Sequence, residues 1–149
     1  AQCREAGVDG VILPDVPLEE HAPFDQAARA EGVHPIYLVA PTSHERIRRI
    51  AQNASGFLYC VSSLGVTGKR SEYATDFDSF FGEIKAACTV PYAIGFGISG
   101  PEQVRQMGRY AHGVIVGSAV ELVEQYGKDA PKPVGEFVAR LAQAARETE

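Results

Sequence analysis

The sequence predicts an α/β fold, in the form of part of a (β/α)8 or TIM barrel. Five short apolar runs recur along the chain, starting near residues 10, 34, 57, 90 and 113. These runs are apolar on both faces, as expected for parallel strands covered by helices. A polar loop and an amphipathic stretch of helical periodicity follow each run. Repeated strand–helix units of this kind predict a parallel sheet.

The five predicted strands are residues 10–15, 34–39, 57–62, 90–95 and 113–117. Their strict repetition, without a sign of reversal, favours a barrel over the alternative of an open doubly wound sheet. A complete barrel needs about 250 residues, and this chain has 149. We therefore expect residues 1–149 to be the C-terminal part of a single barrel domain. Residues 1–7 lack Met and are typical of a helix end with a C-cap glycine, which indicates that a preceding segment is absent.

Three predicted helix starts fit the capping-box pattern, in which a Ser or Thr is followed three residues later by Glu. The pairs are Thr42 with Glu45, Ser99 with Glu102, and Ser118 with Glu121. We expect each hydroxyl to cap the helix that follows it.

The composition excludes several classes of protein. Hydrophobic residues make up 45% and charged residues 22%, which is typical of a globular domain. The net charge of −5 disfavours a nucleic-acid or acidic-membrane surface. The three cysteines form no CxxC pair and have no histidines at ligand spacing, so we expect reduced thiols, a cytoplasmic location and no metal site.

Glycines follow the last two predicted strands, in Gly-Phe-Gly-Ile-Ser at 95–99 and Gly-Ser at 117–118. Glycine permits close approach of a ligand, and a helix N-terminus presents free N–H groups to an anion. In (β/α)8 enzymes the phosphate site lies after the last two strands. The pattern therefore favours a phosphate site, with tight structural turns as the alternative.

Three further features each leave two interpretations open. The Gly-, Ser- and Thr-containing residues 62–71 indicate either a lid over a site or an ordinary surface loop. Asp15 either faces the barrel mouth or caps the turn that follows it. Tyr59 either offers its hydroxyl to a ligand or belongs to the core.

Four segments together resemble the tryptophan synthase alpha subunit family. Residues 11–20 are similar to that family's fourth strand and following turn, and Ser-Leu-Gly-Val-Thr-Gly at 63–68 is similar to its mobile sixth loop. Residues 95–104 and 116–119 resemble its last two strand ends. The similarity runs in order through essentially the whole chain.

The resemblance implies an enzyme of tryptophan biosynthesis that cleaves indole-3-glycerol phosphate to indole and glyceraldehyde 3-phosphate without a cofactor of its own. It also implies a heterotetramer with a pyridoxal-phosphate beta subunit, which joins the indole to serine. By motif, the residues that would hold the phosphate are Gly68, Gly97, Gly117 and Ser118. Thr67 would belong to the closing lid, Tyr59 would line the substrate pocket and Asp15 would lie near the beta-subunit face.

This chain departs from the family in two respects. The family often has Arg at the position of Ser63. Its two catalytic carboxylates lie on the second strand and the loop after it, before the first strand present here. We therefore expect no catalytic residue in this chain, which would be inactive and self-associating on its own. The alternatives are another phosphate-binding barrel, such as a sugar-phosphate epimerase or a histidine-pathway isomerase, and a noncatalytic half-barrel.

Overall fold

The computed structural model describes residues 1–62, 76–95 and 97–148. In these residues, five parallel strands form one sheet whose spatial order is the chain order. The strands are Gly10–Ile12 (β1), His34–Val39 (β2), Leu58–Val61 (β3), Tyr92–Gly95 (β4) and Gly113–Val114 (β5). All five predicted strands are therefore confirmed. Because each strand lies beside its predecessor, the order does not reverse as it would in a doubly wound sheet.

Helices connect the strands and continue beyond the last one. They are Gln2–Glu5 (α1), Ala22–Ala30 (α2), Ile47–Asn53 (α3), Phe77–Ala87 (α4), Pro101–Gly108 (α5), Ala119–Tyr126 (α6) and Pro131–Arg146 (α7). Short 3-10 turns occupy Leu18–Glu20, Pro41–Arg46 and Gly127–Asp129. Gly7, with a φ of 71°, follows α1, as expected for a glycine just past a helix end. No helix among the described residues is long and apolar enough to cross a membrane.

One face of the sheet is covered by helices and forms the core. Its outward-facing strand residues are almost fully buried: Val39 is 1% exposed, and Leu58, Cys60 and Ile94 are 0% exposed. The helices contribute buried side chains to the same cluster, chiefly Ile47, Ile50 and Ala51 of α3, Phe80, Phe81 and Ile84 of α4, Val104 and Met107 of α5, and Leu141 and Ala144 of α7. The apolar helix stripes thus pack against alternate residues of the strands.

The other face of the sheet is less covered. The register pairs Leu38 with Tyr59, and Tyr59 with Ala93, so these three side chains lie on one face. All three are only half-buried, and Ile12 of β1 is 43% exposed. In a closed barrel this face is the interior. Within the described residues, β1 and β5 are the two edge strands of the sheet.

The predicted capping boxes are wrong. Gly100 rather than Ser99 is the N-cap of α5, and neither α5 nor α6 has a side-chain cap. Thr42 lies inside a 3-10 turn rather than before a helix. Ser118 precedes α6 but has helical dihedral angles, φ −61° and ψ −14°. A capping residue normally has extended backbone, which turns its oxygen back toward the N–H groups, so the Ser118 hydroxyl is left for another partner.

Candidate functional site

A cavity of about 380 Å³ lies at the carboxyl ends of β3, β4 and β5. Its lining residues are Tyr59, Gly97, Ile98, Ser99, Ile115, Gly117 and Ser118. The carboxyl ends of neighbouring parallel strands meet at one edge of a sheet, which is where ligands bind in α/β folds. The volume falls within the range of about 300–1,000 Å³ that is typical of small-molecule sites.

Two helices begin beside this cavity. Gly97 precedes α5 with a φ of 72°, a left-handed conformation that favours glycine. Gly117 and Ser118 immediately precede α6. The first N–H groups of a helix have no acceptor within the helix and carry a partial positive charge. Two such ends at one cavity favour a negatively charged ligand.

The Ser118 hydroxyl is the most unusual polar group of the cavity. Its Oγ atom is buried and has no hydrogen-bond partner among the residues that the structure describes. An unsatisfied buried hydroxyl costs about 1–3 kcal/mol. A ligand oxygen in the cavity would remove this cost by accepting the hydroxyl proton.

Tyr59 forms a wall of the cavity and lies across the neighbouring strand. A Cβ atom placed on Gly95 would lie 2.6 Å from the Tyr59 Cζ, so any larger residue at position 95 would force the phenol ring to move. Burial raises the pKa of the Tyr59 hydroxyl above its ordinary value. The end of β3 is fixed to the same glycine, because Ser62 donates from its backbone N–H and from its Oγ to the Gly95 carbonyl, at 3.0 and 3.1 Å.

The cavity brings together four of the predicted site residues: Tyr59, Gly97, Gly117 and Ser118. Asp15 does not line it and is exposed in the turn after β1. The other two, Thr67 and Gly68, lie outside the described residues.

Sequence reasoning missed three lining residues. Ile98 and Ile115 form the apolar part of the lining, and Ser99 was predicted only as a helix cap. Apolar residues after a strand carry no chemical signature of a site. Their position directly beside the two glycine-containing strand ends was the available signal.

The polar groups of the lining are uncharged hydrogen-bond donors. It contains no Lys, Arg, Asp or Glu among the described residues. In the same part of the chain, no three His, Cys, Asp or Glu side chains are grouped as metal ligands. The nearby Cys60 thiol is fully buried, and burial, with a smaller contribution from Cys88, raises its pKa to about 12. The arrangement therefore suits an anion held by N–H groups and hydroxyls.

The family model described as the tryptophan synthase alpha chain matches residues 1–148. The chain belongs to this family. The tryptophan synthase alpha chain of Geobacillus kaustophilus is 49% identical over 146 residues, covering 93% of this chain and 54% of the relative. The alpha chain of Geobacillus stearothermophilus is 47% identical over 149 residues, covering 98% of this chain and 55% of the relative.

Solved structures of alpha subunits have the same fold. The alpha chain in the tryptophan synthase complex of Pyrococcus furiosus superposes with a TM-score of 0.81 at 32% identity, covering 96% of this chain and 59% of that one. The subunit of Legionella pneumophila gives a TM-score of 0.77 at 32% identity, with coverages of 98% and 55%. These matches confirm the barrel prediction. The chain spans about half the length of the relatives that it matches.

Proposed function

We propose that residues 1–149 are the second part of a single (β/α)8 barrel domain that acts in the lyase reaction of tryptophan synthase. In this proposal the chain binds the phosphate end of indole-3-glycerol phosphate. The observation that carries the proposal is the buried Ser118 hydroxyl at the cavity, which has no hydrogen-bond partner among the residues that the structure describes. The choice of substrate is supported by the membership of the chain in the alpha chain family.

The proposed phosphate contacts are those of two helix starts. Backbone N–H groups at Gly97 and Gly117, together with the Ser118 N–H and hydroxyl, would point at the phosphate oxygens. Gly68 would add a further N–H contact, and Thr67 would belong to a lid that closes over the substrate. The neutral lining supports this arrangement, because helix N-termini bind phosphate without a cationic side chain.

The indole end of the substrate would lie along Tyr59. Its half-buried ring gives the cavity an aromatic wall, and Ile98 and Ile115 add aliphatic surface. Aromatic substrates gain free energy from such surfaces by burial and by ring contacts. Tyr59 would therefore orient the substrate and leave the proton transfers to other groups.

Cleavage breaks the bond between indole C3 and the adjacent glycerol carbon. That carbon's hydroxyl loses a proton and becomes the aldehyde of glyceraldehyde 3-phosphate, and indole C3 gains a proton. A general acid and a general base must make these transfers. The cavity has no carboxylate among its described lining residues. We therefore propose that the acid–base pair comes from the segment that precedes this chain in a complete barrel, and that this chain alone is inactive.

We also propose a beta subunit as the partner of the complete protein. The Pyrococcus furiosus relative is a subunit of an α2β2 complex. Asp15 is exposed in the turn after β1, at the same edge of the sheet as the cavity, because parallel strands end there together. This edge is where indole would leave for a partner, and we propose that the turn carrying Asp15 lies near the partner face.

The test is indole release from indole-3-glycerol phosphate. The chain is assayed alone and after mixing with a separately produced alpha-chain segment carrying the first three strands. We expect release only from the mixture, and at least about tenfold less when the chain carries Ser118→Ala. Activity of the chain alone would refute the assignment of the acid–base pair to the preceding segment. An inactive mixture shown to have folded together would refute the lyase assignment.

A further inference from the structure

Ser99 is the second serine of the cavity, and its hydroxyl has a defined partner. Gln103 Nε2 donates to Ser99 Oγ at 3.3 Å, from the first turn of α5. Ser99 lines the same cavity as Ser118. The pair thus joins a helix side chain to a hydroxyl at the proposed phosphate site.

The direction of this hydrogen bond decides what the Ser99 hydroxyl can do. A serine hydroxyl has one proton to donate and lone pairs with which to accept. Because the Gln103 amide occupies Oγ as a donor, the Ser99 proton remains available for another acceptor. A hydroxyl that accepts one hydrogen bond also becomes a better donor for the next.

The two ends of the Gln103 amide lie against different residues. Gln103 Oε1 lies 3.4 Å from the position that a Cβ would take at Gly100, whereas Nε2 faces Ser99. In a capping box the side chain at this helix position bonds the N-cap backbone N–H instead. Gln103 instead bonds the Ser99 side chain, and among the described residues α5 has no side-chain cap.

We propose that Gln103 is a positioning residue, which holds the Ser99 hydroxyl as a second donor to the phosphate group bound beside Ser118. This inference rests on the proposed phosphate site and adds to it a specific donor pair. Ser118 and Ser99 then contribute one hydroxyl from each of the two helix starts.

The experiment measures the Kd of inorganic phosphate and of glycerol 3-phosphate for the 149-residue chain by NMR titration. The variants are Ser118→Ala, Ser99→Ala, Gln103→Ala and Gln103→Glu. We expect Ser118→Ala to raise the Kd about tenfold, and Ser99→Ala and Gln103→Ala to raise it about three- to fivefold.

Gln103→Glu tests the direction of the hydrogen bond. A carboxylate only accepts, so it would draw the Ser99 proton away from the cavity and raise the Kd more than Gln103→Ala does. Gln106→Ala and Gln106→Glu are the matched controls. Gln106 lies on the same helix, is exposed and bonds Glu102 at 3.2 Å, so Gln106→Glu adds the same charge without contact with Ser99. These controls should change the Kd less than twofold.

The outcomes separate this inference from the proposed function. If Ser118→Ala weakens binding while the Ser99 and Gln103 variants bind as the parent does, the donor pair is wrong and the phosphate site stands. Equal effects of Gln103→Glu and Gln106→Glu would also overturn the positioning role, because they would reflect charge alone. If the parent chain binds neither ligand, both the site and the inference are wrong.

Discussion

The two faces of the sheet differ in how completely they are buried. On the helix-covered face, Leu58, Cys60 and Ile94 have no exposed surface. On the opposite face, Tyr59 is half-buried and Ile12 is 43% exposed. Both faces carry apolar side chains of the same types, because the strands of a closed barrel are apolar on both sides.

The covered face chiefly stabilises the chain, and the open face carries the cavity wall. The covered face has its partners within residues 1–149, namely the apolar stripes of α3, α4, α5 and α7. The open face holds the cavity wall at Tyr59. Truncation of side chains on the covered face should therefore lower the free energy of unfolding most, and truncation on the open face should chiefly change binding and association.

The largest contrast is expected between Leu58→Ala and Ile12→Ala. Leu58 is fully buried, so truncation leaves a cavity and should lower the free energy of unfolding by about 3–5 kcal/mol. Ile12→Ala should cost less than about 1 kcal/mol, because the side chain is 43% exposed. Urea denaturation followed by circular dichroism measures both. Similar losses in the two variants would show that the open face is packed in solution.

A second prediction tests the contact between Tyr59 and Gly95. Gly95→Ala places a methyl group against the phenol ring and should lower stability by about 1–3 kcal/mol. Tyr59→Ala removes the clashing ring. In a double-mutant cycle, Gly95→Ala should therefore cost much less stability in the Tyr59→Ala background than in the parent chain.

Gly113→Ala is the matched control for Gly95→Ala. Gly113 lies in the neighbouring strand β5, and a Cβ there would approach only Ala93, at 4.0 Å. It should cost well under about 1 kcal/mol, because no neighbouring atom has to move. Purely additive effects of Gly95→Ala and Tyr59→Ala would contradict the close approach.

Alkaline pH should destabilise the covered face through Cys60. Burial raises the pKa of its thiol from 9.0 to about 12. Above pH 9 the unfolded chain releases this proton while the folded chain retains it. Stability is therefore complete below pH 9 and falls as the pH rises toward 12, at up to about 1.4 kcal/mol per pH unit. The pKa values of Tyr37 and Tyr92, also raised by burial, add losses of the same sign above pH 10.

Urea denaturation between pH 7 and 10 isolates the contribution of Cys60. Cys60→Ala will lower stability at neutral pH by leaving a small cavity. The two proteins are therefore compared by how steeply their free energy of unfolding falls with pH. Between pH 9 and 10 the parent chain should lose stability more steeply than the variant. Identical slopes in this interval would show that the thiol ionises equally in the folded and unfolded chains.

The covered face was largely predictable from sequence, and the cavity only in part. The strand of residues 34–39 was predicted with its observed bounds, because a β-branched and aromatic run between polar loops has few alternatives. Ser118 was predicted both as a helix cap and as a phosphate ligand. Only its backbone dihedral angles, which depend on how the chain enters α6, exclude the cap. Similarly, the lack of space for a side chain at position 95 depends on the direction of the Tyr59 ring, which residue types do not specify.

The side-chain hydrogen bonds of the covered face could also not be predicted from the sequence. The Tyr37 hydroxyl donates to Asp25, and the His21 ring stacks on Tyr37 with its Nδ1 atom 3.2 Å from the same carboxylate. His21 carried no predicted role, because no pair of histidines in the sequence has the spacing of metal ligands. The cluster joins the first turn of α2 to β2, a contact set by tertiary packing rather than by local propensity.

The smallest expected effect concerns association through the open face. The sequence predicts that the chain alone self-associates, and the exposed Ile12 on edge strand β1 supports this prediction. Sedimentation velocity over a concentration series should show a reversible shift to a larger species. Ile12→Lys should weaken that association by about tenfold, because pairing would desolvate the added charge.

Val138→Lys on α7 is the matched control for association. Val138 is similarly exposed, at 47%, but belongs to the helix layer rather than to the open face of the sheet. Equal weakening by both substitutions would indicate nonspecific hydrophobic association. A parent chain that stays monomeric at every concentration would mean that the open face and its edges tolerate water. The contrast between the two faces would then concern only stability and ligand binding.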